Sequence, residues 1–485
     1  MVSAFPRSFI KVIAVSDPFA KSQKTRLESD ALGSVEVSGD RYWGAQTERA
    51  LRHFKIGREP VPKSLIRAFG LLKKTAAIVN VKLGLLPLSL GDAIVKAAEE
   101  VASGELDGEF PLLIWQSGSG TQTNMNVNEV IANRAIQILG GEMGTKSPVH
   151  PNDHVNLGQS TNDGFPTAMH MATVCEIQRR LIPALDQMHH ALLAKALEWH
   201  DIVKIGRTHL QDATPLMLGQ EFSGYAAQIG LAKERVRDAL KRLYPLAQGG
   251  TAVGTGMNAK KDFACMFAQE IAALTGYPFV TAENKFEAQA THDAMAEISG
   301  VLNTIAVGFT KIANDIRLLS SGPLCGIGEL VMPENEPGSS IMPGKVNPTQ
   351  AEAMCMVAAQ VMGNHMTVTV ACAGGHFELN AYKPLIIYNV LSSIELLADV
   401  AESFTKNCLE GLKPDLKRIK AFVDRSLMLA TALNPHIGYD KVAKMVIKAR
   451  EEGTTVKEAG LALGFLTAEE YDSIVKPEKM VQPLD

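Results

Sequence analysis

The sequence predicts an all-α, mainly helical protein built on long bundle helices, and three observations carry that prediction. The first is the stripe Ile298, Leu302, Ile305, Phe309, Ile312, Ile316 and Leu319, whose steps of four and three keep one apolar face along a helix. The second is the segment after Asn347-Pro348, where Ala351, Ala353, Met354, Met356, Val357, Ala358, Ala359, Val361 and Met362 leave no polar face before about Cys372. The third is composition. From Pro62 onward the chain is rich in Ala, Leu, Met, Gln and Glu, which lose little rotamer freedom in a helix, and clusters of Gly, Pro, Asn and Ser separate the segments.

Taken in order, Val35 and Val37 followed by Asp40 to Gly44 read as a short hairpin, and little else looks like strand. Thr214-Pro215 offers an N-cap and first helical residue for a long helix expected to end near Tyr244-Pro245. Asn347, Pro348 and Gln350 offer a capping box for another, about 37 Å long at 1.5 Å per residue. A helix that is apolar all round must be surrounded, so it is expected at the centre of a large bundle shared between subunits. After about residue 413 the charge density rises and the segments shorten, which marks a small C-terminal domain. The run Gly249 to Gly256 lacks a preceding strand and a following acidic residue at dinucleotide spacing, so it reads as a helix-connecting loop and not a phosphate loop.

Composition excludes other classes. The 485 residues allow two to four domains, and 46% hydrophobic with 21% charged residues is globular, neither disordered nor fibrous. The net charge is -4 and Lys and Arg form no basic stripe, which argues against a nucleic-acid partner. No uninterrupted apolar run approaches the ~20 residues of a membrane span, so no membrane partner is expected. Six scattered cysteines suggest neither a disulfide framework nor a zinc site. Residues 1–25 carry Arg7, Lys11, Lys21 and Lys24 against Asp17, but Pro6 and Pro18 interrupt an amphipathic helix. A cytoplasmic location is expected, with the mitochondrial matrix as the alternative.

Four polar clusters interrupt the helical background. Ser117 to Asn126 gathers hydroxyls, amides and glycines ahead of a helix, either as an ordinary cap or as an anion site. His150-Pro151-Asn152-Asp153-His154 precedes Ser160-Thr161-Asn162-Asp163. The two histidines flank a proline turn with no third ligand, below the catalytic zinc minimum, so Ser160, Thr161 and Asn162 read as anion donors. His209, in Gly206 to Pro215, is placed in a loop just ahead of a helix, within reach of a ligand. Pro337 to Pro348 supplies Ser339, Ser340, Lys345 and Asn347 in a stretch whose prolines and glycines exclude helix. Together these clusters suit a small polycarboxylate.

The stretch Gly338 to Pro348, GSSIMPGKVNP, resembles the signature loop of the fumarase/aspartase superfamily, and nearly the whole chain from Arg26 onward resembles that pattern. Thr208-His209, Gly344 and LNPHIGYD at 433–440 resemble the class II fumarases more than the aspartases. The resemblance implies three domains, with 26–158 as the N-terminal, 159–413 as the central helical-bundle and 414–485 as the small C-terminal domain. It implies a 20-helix core in a homotetramer, with each active site built by three chains. The implied reaction is reversible anti addition of water to fumarate, giving L-malate through an aci-carboxylate, a step of the tricarboxylic acid cycle, with no metal or organic cofactor.

By the same resemblance Ser339 is the base, His209 acts with the water, and Glu352 pairs with His209. Ser119, Gly120, Thr121, Ser160, Thr161, Asn162, Thr208, Ser340, Lys345, Val346 and Asn347 hold the substrate. His150, Pro151, Asn152 and Asp153 form a second anion site. Leu324 departs from the family, where Arg is common. The competing readings are another lyase of the superfamily and a non-enzymatic crystallin-like assembly, the latter with no reason to keep a full set of polar loop residues.

Overall fold

The structure, a computed structural model, describes residues 24–483. The expected N-terminal extension therefore lies outside the described residues except for Lys24 and Thr25. The first elements are an antiparallel hairpin, β1 (Thr25–Asp30) and β2 (Gly33–Ser38), with Val35 and Val37 buried. Then come α1 (Lys63–Lys82), α2 (Leu88–Ser103), α3 (Thr121–Ile138), α4 (Thr161–Glu176) and α5 (Ile182–Glu198). A second hairpin, β3 (Val203–Thr208) and β4 (Gln211–Met217), leads into α6 (Leu218–Leu243). The remaining long helices are α7 (Phe263–Thr275), α8 (Asp293–Leu319), α9 (Thr349–Cys372) and α10 (Lys383–Phe404), and the short α11 (Tyr439–Glu452), α12 (Val456–Ala462) and α13 (Ala468–Ile474) follow.

The chain forms two compact units. Among the described residues the first comprises 24–169, Leu246–Ala290 and His376–Pro384. In it α1 packs on α2 and α7, and α2 packs on α3. The buried stripe of α1 runs through Leu65, Phe69, Leu72, Ala76 and Val79, at helical spacing, and Lys73 and Asn80 share it. Phe69 meets Phe165 edge to face at 5.6 Å between ring centres, an arrangement that aromatic quadrupoles favour.

Among the described residues the second unit comprises His170–Pro245, Thr291–Gly375 and 385–483. In it α6 packs on α5 and α8, and α8 on α9. Every residue of the predicted α8 stripe is buried, from Ile298 to Leu319. The C-terminal segment has a core of its own, in which Leu429, Leu433, Met445, Val456 and Tyr471 pack together. Capping boxes Thr455/Glu458 and Thr467/Glu470 open α12 and α13, each satisfying two backbone N–H groups that the helix start leaves over.

Two expectations are corrected. Thr214 and Pro215 do not start a helix: they lie in β4, and α6 begins at Leu218 after a Met217/Gln220 box. Proline is tolerated there because this two-stranded ladder has only edge strands. The capping box at Asn347 does not form either. The Asn347 amide closes its own loop on Gly338, Gln350 accepts from Ser403, and Pro348 occupies the N-cap position. Among the described residues α10 and its last turn to Leu409 are long and apolar enough to cross a membrane, with a mean hydropathy of 1.4 over the best window, although Asn389, Glu395, Asp399 and Glu402 interrupt the segment. Two-thirds of that window, 67%, is buried inside the protein, the mark of a core helix.

The helix α9 is not enclosed within one chain. Ala351, Met354, Ala358, Val361, Val368 and Ala371 are buried, while Met356, Met366 and Val370 are 64–68% exposed on the opposite face. Large apolar side chains aligned at helical spacing in water mark an interaction surface. Met366→Asp is expected to shift the assembled protein toward smaller species with the helical content kept. Light scattering and circular dichroism of the purified variant check both; an unchanged mass would show that this face is not an interface.

Candidate active site

In the second unit His209 sits at the tip of the β3–β4 hairpin, and not in a loop that opens a helix as the sequence suggested. Thr208 pairs with Gln211, so His209 and Leu210 form the two-residue turn. Both have positive φ, 58° and 60°. That is the turn that matches strand twist, yet it is normally made by Asn-Gly or Asp-Gly, and non-glycine residues there store strain. His209 and Thr208 are exposed, and the His209 side chain makes no hydrogen bond or ion pair among the described residues.

The hairpin is anchored at its base by buried charge. Glu329, with no exposed surface, takes two hydrogen bonds from Arg207 at 2.8 and 3.1 Å. Lys204, equally buried, lies 3.3 Å from Glu329 and 3.1 Å from Glu221. Burial raises the Glu221 carboxyl, while Lys204 opposes the rise.

The signature loop lies in the same unit. The Ser339 Oγ accepts from the backbone N–H of Ile341 at 3.3 Å and of Met342 at 3.2 Å. Asn347 Nδ2 donates to the Gly338 carbonyl at 2.6 Å across the loop base. A Cβ at Gly338 would stand 2.0 Å from the Lys345 carbonyl, so only glycine lets the two strands of the loop close. Gly344 turns the chain at φ +77. Ser340 and Lys345 are exposed, and Val346 and Asn347 half-buried. Glu352, exposed on the first turn of α9, makes no side-chain bond or ion pair within the chain among the described residues, so the pairing expected with His209 is not made inside one chain.

The first unit carries the other polar clusters at the heads of α3 and α4. Ser117, Ser119 and Thr121 form a hydroxyl chain at 3.1 and 2.8 Å. Gly120 holds the N-cap position in the left-handed region without a side-chain cap, and a Cβ there would meet the Phe165 ring at 2.1 Å. Gln116 takes over capping by accepting from the Thr123 N–H and hydroxyl. At α4, Ser160 Oγ accepts from Asn162 N–H while Asp163 accepts from Ser160 N–H. This reciprocal cap leaves the Ser160 hydroxyl its proton to donate outward. Thr161 is buried at 8% exposure. Asn162 donates to the Ala252 carbonyl, so its amide also holds the glycine-rich run.

His150 Nδ1 accepts from Asn152 and Asp153 N–H, both at 3.1 Å, and His154 Nδ1 accepts from His150 N–H at 2.8 Å. Pro151 opens that short turn. Burial lowers the His150 pKa against the pull of Asp153. With Nδ1 accepting, the neutral ring carries its proton on Nε2. No cluster of three His, Cys, Asp or Glu suited to a metal occurs among the described residues.

Sequence reasoning missed three participants. Asp163 ties the head of α4 to the glycine-rich run by accepting from Gly249 and Thr251 N–H at 2.8 and 3.0 Å. Burial pushes its carboxyl up to about 6. Lys73 donates to Asn156 and Gln159, and Lys383 is buried at the first position of α10. The signal for Lys73 was present: it lies on the apolar stripe of α1, four residues after Phe69 and three before Ala76.

A helical scaffold whose ends present a backbone-held serine, an exposed lysine, an exposed histidine and rows of hydroxyl and amide donors defines a bundle-type lyase. The lyase family model matches residues 33–363, and the fumarase C C-terminus model matches 429–482. The mitochondrial fumarate hydratase of Rhizopus oryzae is 61% identical over 97% of this chain and 95% of its own length. A class II fumarate hydratase of Bradyrhizobium diazoefficiens is 60% identical over 95% and 97%. The crystal structure of class II fumarase from Schistosoma mansoni superposes with a TM-score of 0.93 at 45% identity, covering 95% of this chain and all of that one. The chain belongs to the fumarase/aspartase superfamily, on its class II fumarase branch.

The anchor of the His209 hairpin makes a measurable prediction. Glu329→Ala leaves Arg207 without its carboxylate and the buried Lys204 with Glu221 alone, and is expected to cost about 3–5 kcal/mol of stability. Chemical denaturation measures it, and a loss below about 1 kcal/mol, the scale of an exposed pair, would contradict the buried-anchor account.

Proposed function

We propose that the chain catalyses the reversible anti addition of water to fumarate, giving L-malate, through an aci-carboxylate intermediate and as a step of the tricarboxylic acid cycle. The observation that carries the reading is the pair of backbone N–H groups on Ser339 Oγ. Serine is a poor base in water, and donors aimed at its oxygen stabilise the alkoxide that a base requires. Its place in a glycine- and proline-rich loop fixes those donors before substrate arrives.

In the dehydration direction the Ser339 alkoxide takes the C3 proton of malate. The electron pair passes into the adjacent carboxylate, giving the aci-carboxylate with two negative charges on one group. Lys345, the second amide hydrogen of Asn347 and the N-terminal end of α9 supply positive charge there, more strongly in the transition state than in the ground state. His209, paired with Glu352, gives a proton to the C2 hydroxyl on the opposite face. Water leaves as the double bond forms, and both groups then reset by exchanging protons with solvent.

Ser119, Gly120, Thr121, Ser160, Thr161, Asn162, Thr208, Ser340 and Val346 complete the carboxylate sites. The cluster His150, Pro151, Asn152 and Asp153 is a second anion site. In this reading the protein is a homotetramer of three-domain chains, and three chains contribute to each site. The exposed face of α9 and the unpartnered His209 and Glu352 support that assembly. The expected compartment is the cytoplasm. The matrix is the alternative, supported by the mitochondrial relatives, and a fluorescent fusion to residues 1–25 separates the two.

Incubation of the purified chain with L-malate is expected to raise the ultraviolet absorbance of the fumarate double bond, with no ammonia from aspartate and no reaction of argininosuccinate. Ser339→Ala is expected to lower kcat by at least about a hundredfold with KM within about threefold, since general-base catalysis is worth about 10²–10⁴. Lys345→Ala should worsen both constants by removing a charge-assisted contact. Near-normal turnover by Ser339→Ala would refute the base assignment.

A further inference from the structure

Three lysines surround one aspartate inside the first unit. Asp163, Lys73 and Lys383 have no more than 1% of their surface exposed, and Asp163 acts electrostatically on Lys73, Lys285 and Lys383. Asp163 already accepts three backbone N–H groups. Lys73 is bonded to Asn156 and Gln159, and Lys285 to the Leu246 carbonyl and the Thr281 hydroxyl. Among the described residues, the Lys383 ammonium alone of the three has no hydrogen-bond partner.

Its placement is specific. The Lys383 N–H donates to the Gly118 carbonyl at 3.0 Å, and a Cβ at Gly118 would overlap the Ala381 carbonyl at 1.4 Å. The segment before α10 is thus packed directly on the turn that carries Ser119 and Thr121. Asp163 stands in the first turn of α4, beside Ser160 and Asn162. A buried, unbonded ammonium destabilises a fold, and burial pushes this one down to about 7. The Asp163 charge offsets that cost in part, and a dianion held at these two helix heads would offset it further.

We propose that Lys383 is a positioning residue for dianionic substrate, raising the positive potential at the heads of α3 and α4 where carboxylates are held. The inference rests on the dicarboxylate reading above and adds a group that touches no substrate atom. It acts through space, together with Lys73 and Lys285 and against Asp163, the charged groups that face it from α1, the helix Lys285–Ala290 and α4.

Lys383→Met in the full chain tests it, with Lys383→Gln as a second variant. KM for L-malate is expected to rise about tenfold with kcat changed less than about threefold. By calorimetry, binding of succinate, a dianion, should weaken about tenfold, and binding of succinamate, a monoanion of similar shape, less than about threefold, because the coupling scales with charge. The melting temperature of Lys383→Met should rise. A lysine whose folded pKa lies below its unfolded one destabilises fully below about pH 7 and ceases to near the unfolded value of about 10.4. The gain should therefore be largest below pH 7 and fade toward pH 10.

A lower melting temperature with equal losses for succinate and succinamate, or failure of both variants to fold, would make Lys383 merely structural and overturn the proposal. Unchanged succinate binding would overturn it as well. If the unaltered chain bound succinate but did not turn over malate, the proposed reaction would fall while the calorimetry still decided the role of Lys383.

Discussion

A helix has bonded backbone groups everywhere except in its first and last turns. The bodies of α8 and α9, 27 and 24 residues long, are given over to packing. Their apolar stripes leave no room for irregular backbone or for many polar side chains. Chemistry is pushed to the ends, and there it is found: Ser119 and Thr121 ahead of α3, Ser160 to Asp163 at the head of α4, the signature loop ahead of α9, and Lys383 at the start of α10. Thr208 and His209 stand elsewhere, at a hairpin tip before α6, as does the short turn of His150 to Asp153.

That constraint also explains the rigid anchoring of each polar group. Loops at helix ends carry backbone groups that need partners, and side chains supply them. Asn347 closes the signature loop, Gln116 caps α3, Asp163 binds two loops to α4, and Glu329 fixes the hairpin through Lys204 and Arg207. Asp163 and Glu329 are buried, and removing either exposes unsatisfied partners, so they hold geometry more firmly than surface contacts can. Preorganised donors are what an aci-carboxylate transition state needs, since they need not reorganise as the charge develops.

The sequence made the long helices legible because packing imposes a period of three and four residues, and the α8 stripe is buried throughout. The signature loop was legible because its glycines and prolines exclude helix. The β3–β4 hairpin was not, because His209-Leu210 occupies a turn that usually announces itself with Asn-Gly or Asp-Gly. The caps at Thr214 and Asn347 were misread for a related reason: side chains that suit an N-cap also suit a strand or a loop closure, and only tertiary contacts choose between them. Lys73 and Lys383 were overlooked because a single lysine beside an apolar run ordinarily stays solvated. Their burial depends on neighbours far away in the sequence.

The central claim is that one site draws its base and its acid from different chains, and subunit exchange tests it most directly. Ser339→Ala and His209→Asn, each nearly inactive alone, are unfolded together and refolded as mixed assemblies. Hybrid sites then take His209 from one parent and Ser339 from the other. Malate dehydration should reappear in proportion to subunit exchange and stay absent when the folded parents are merely mixed. Demonstrated hybrids with no recovered activity would contradict the account, because a site contained in one chain cannot be repaired by its neighbour.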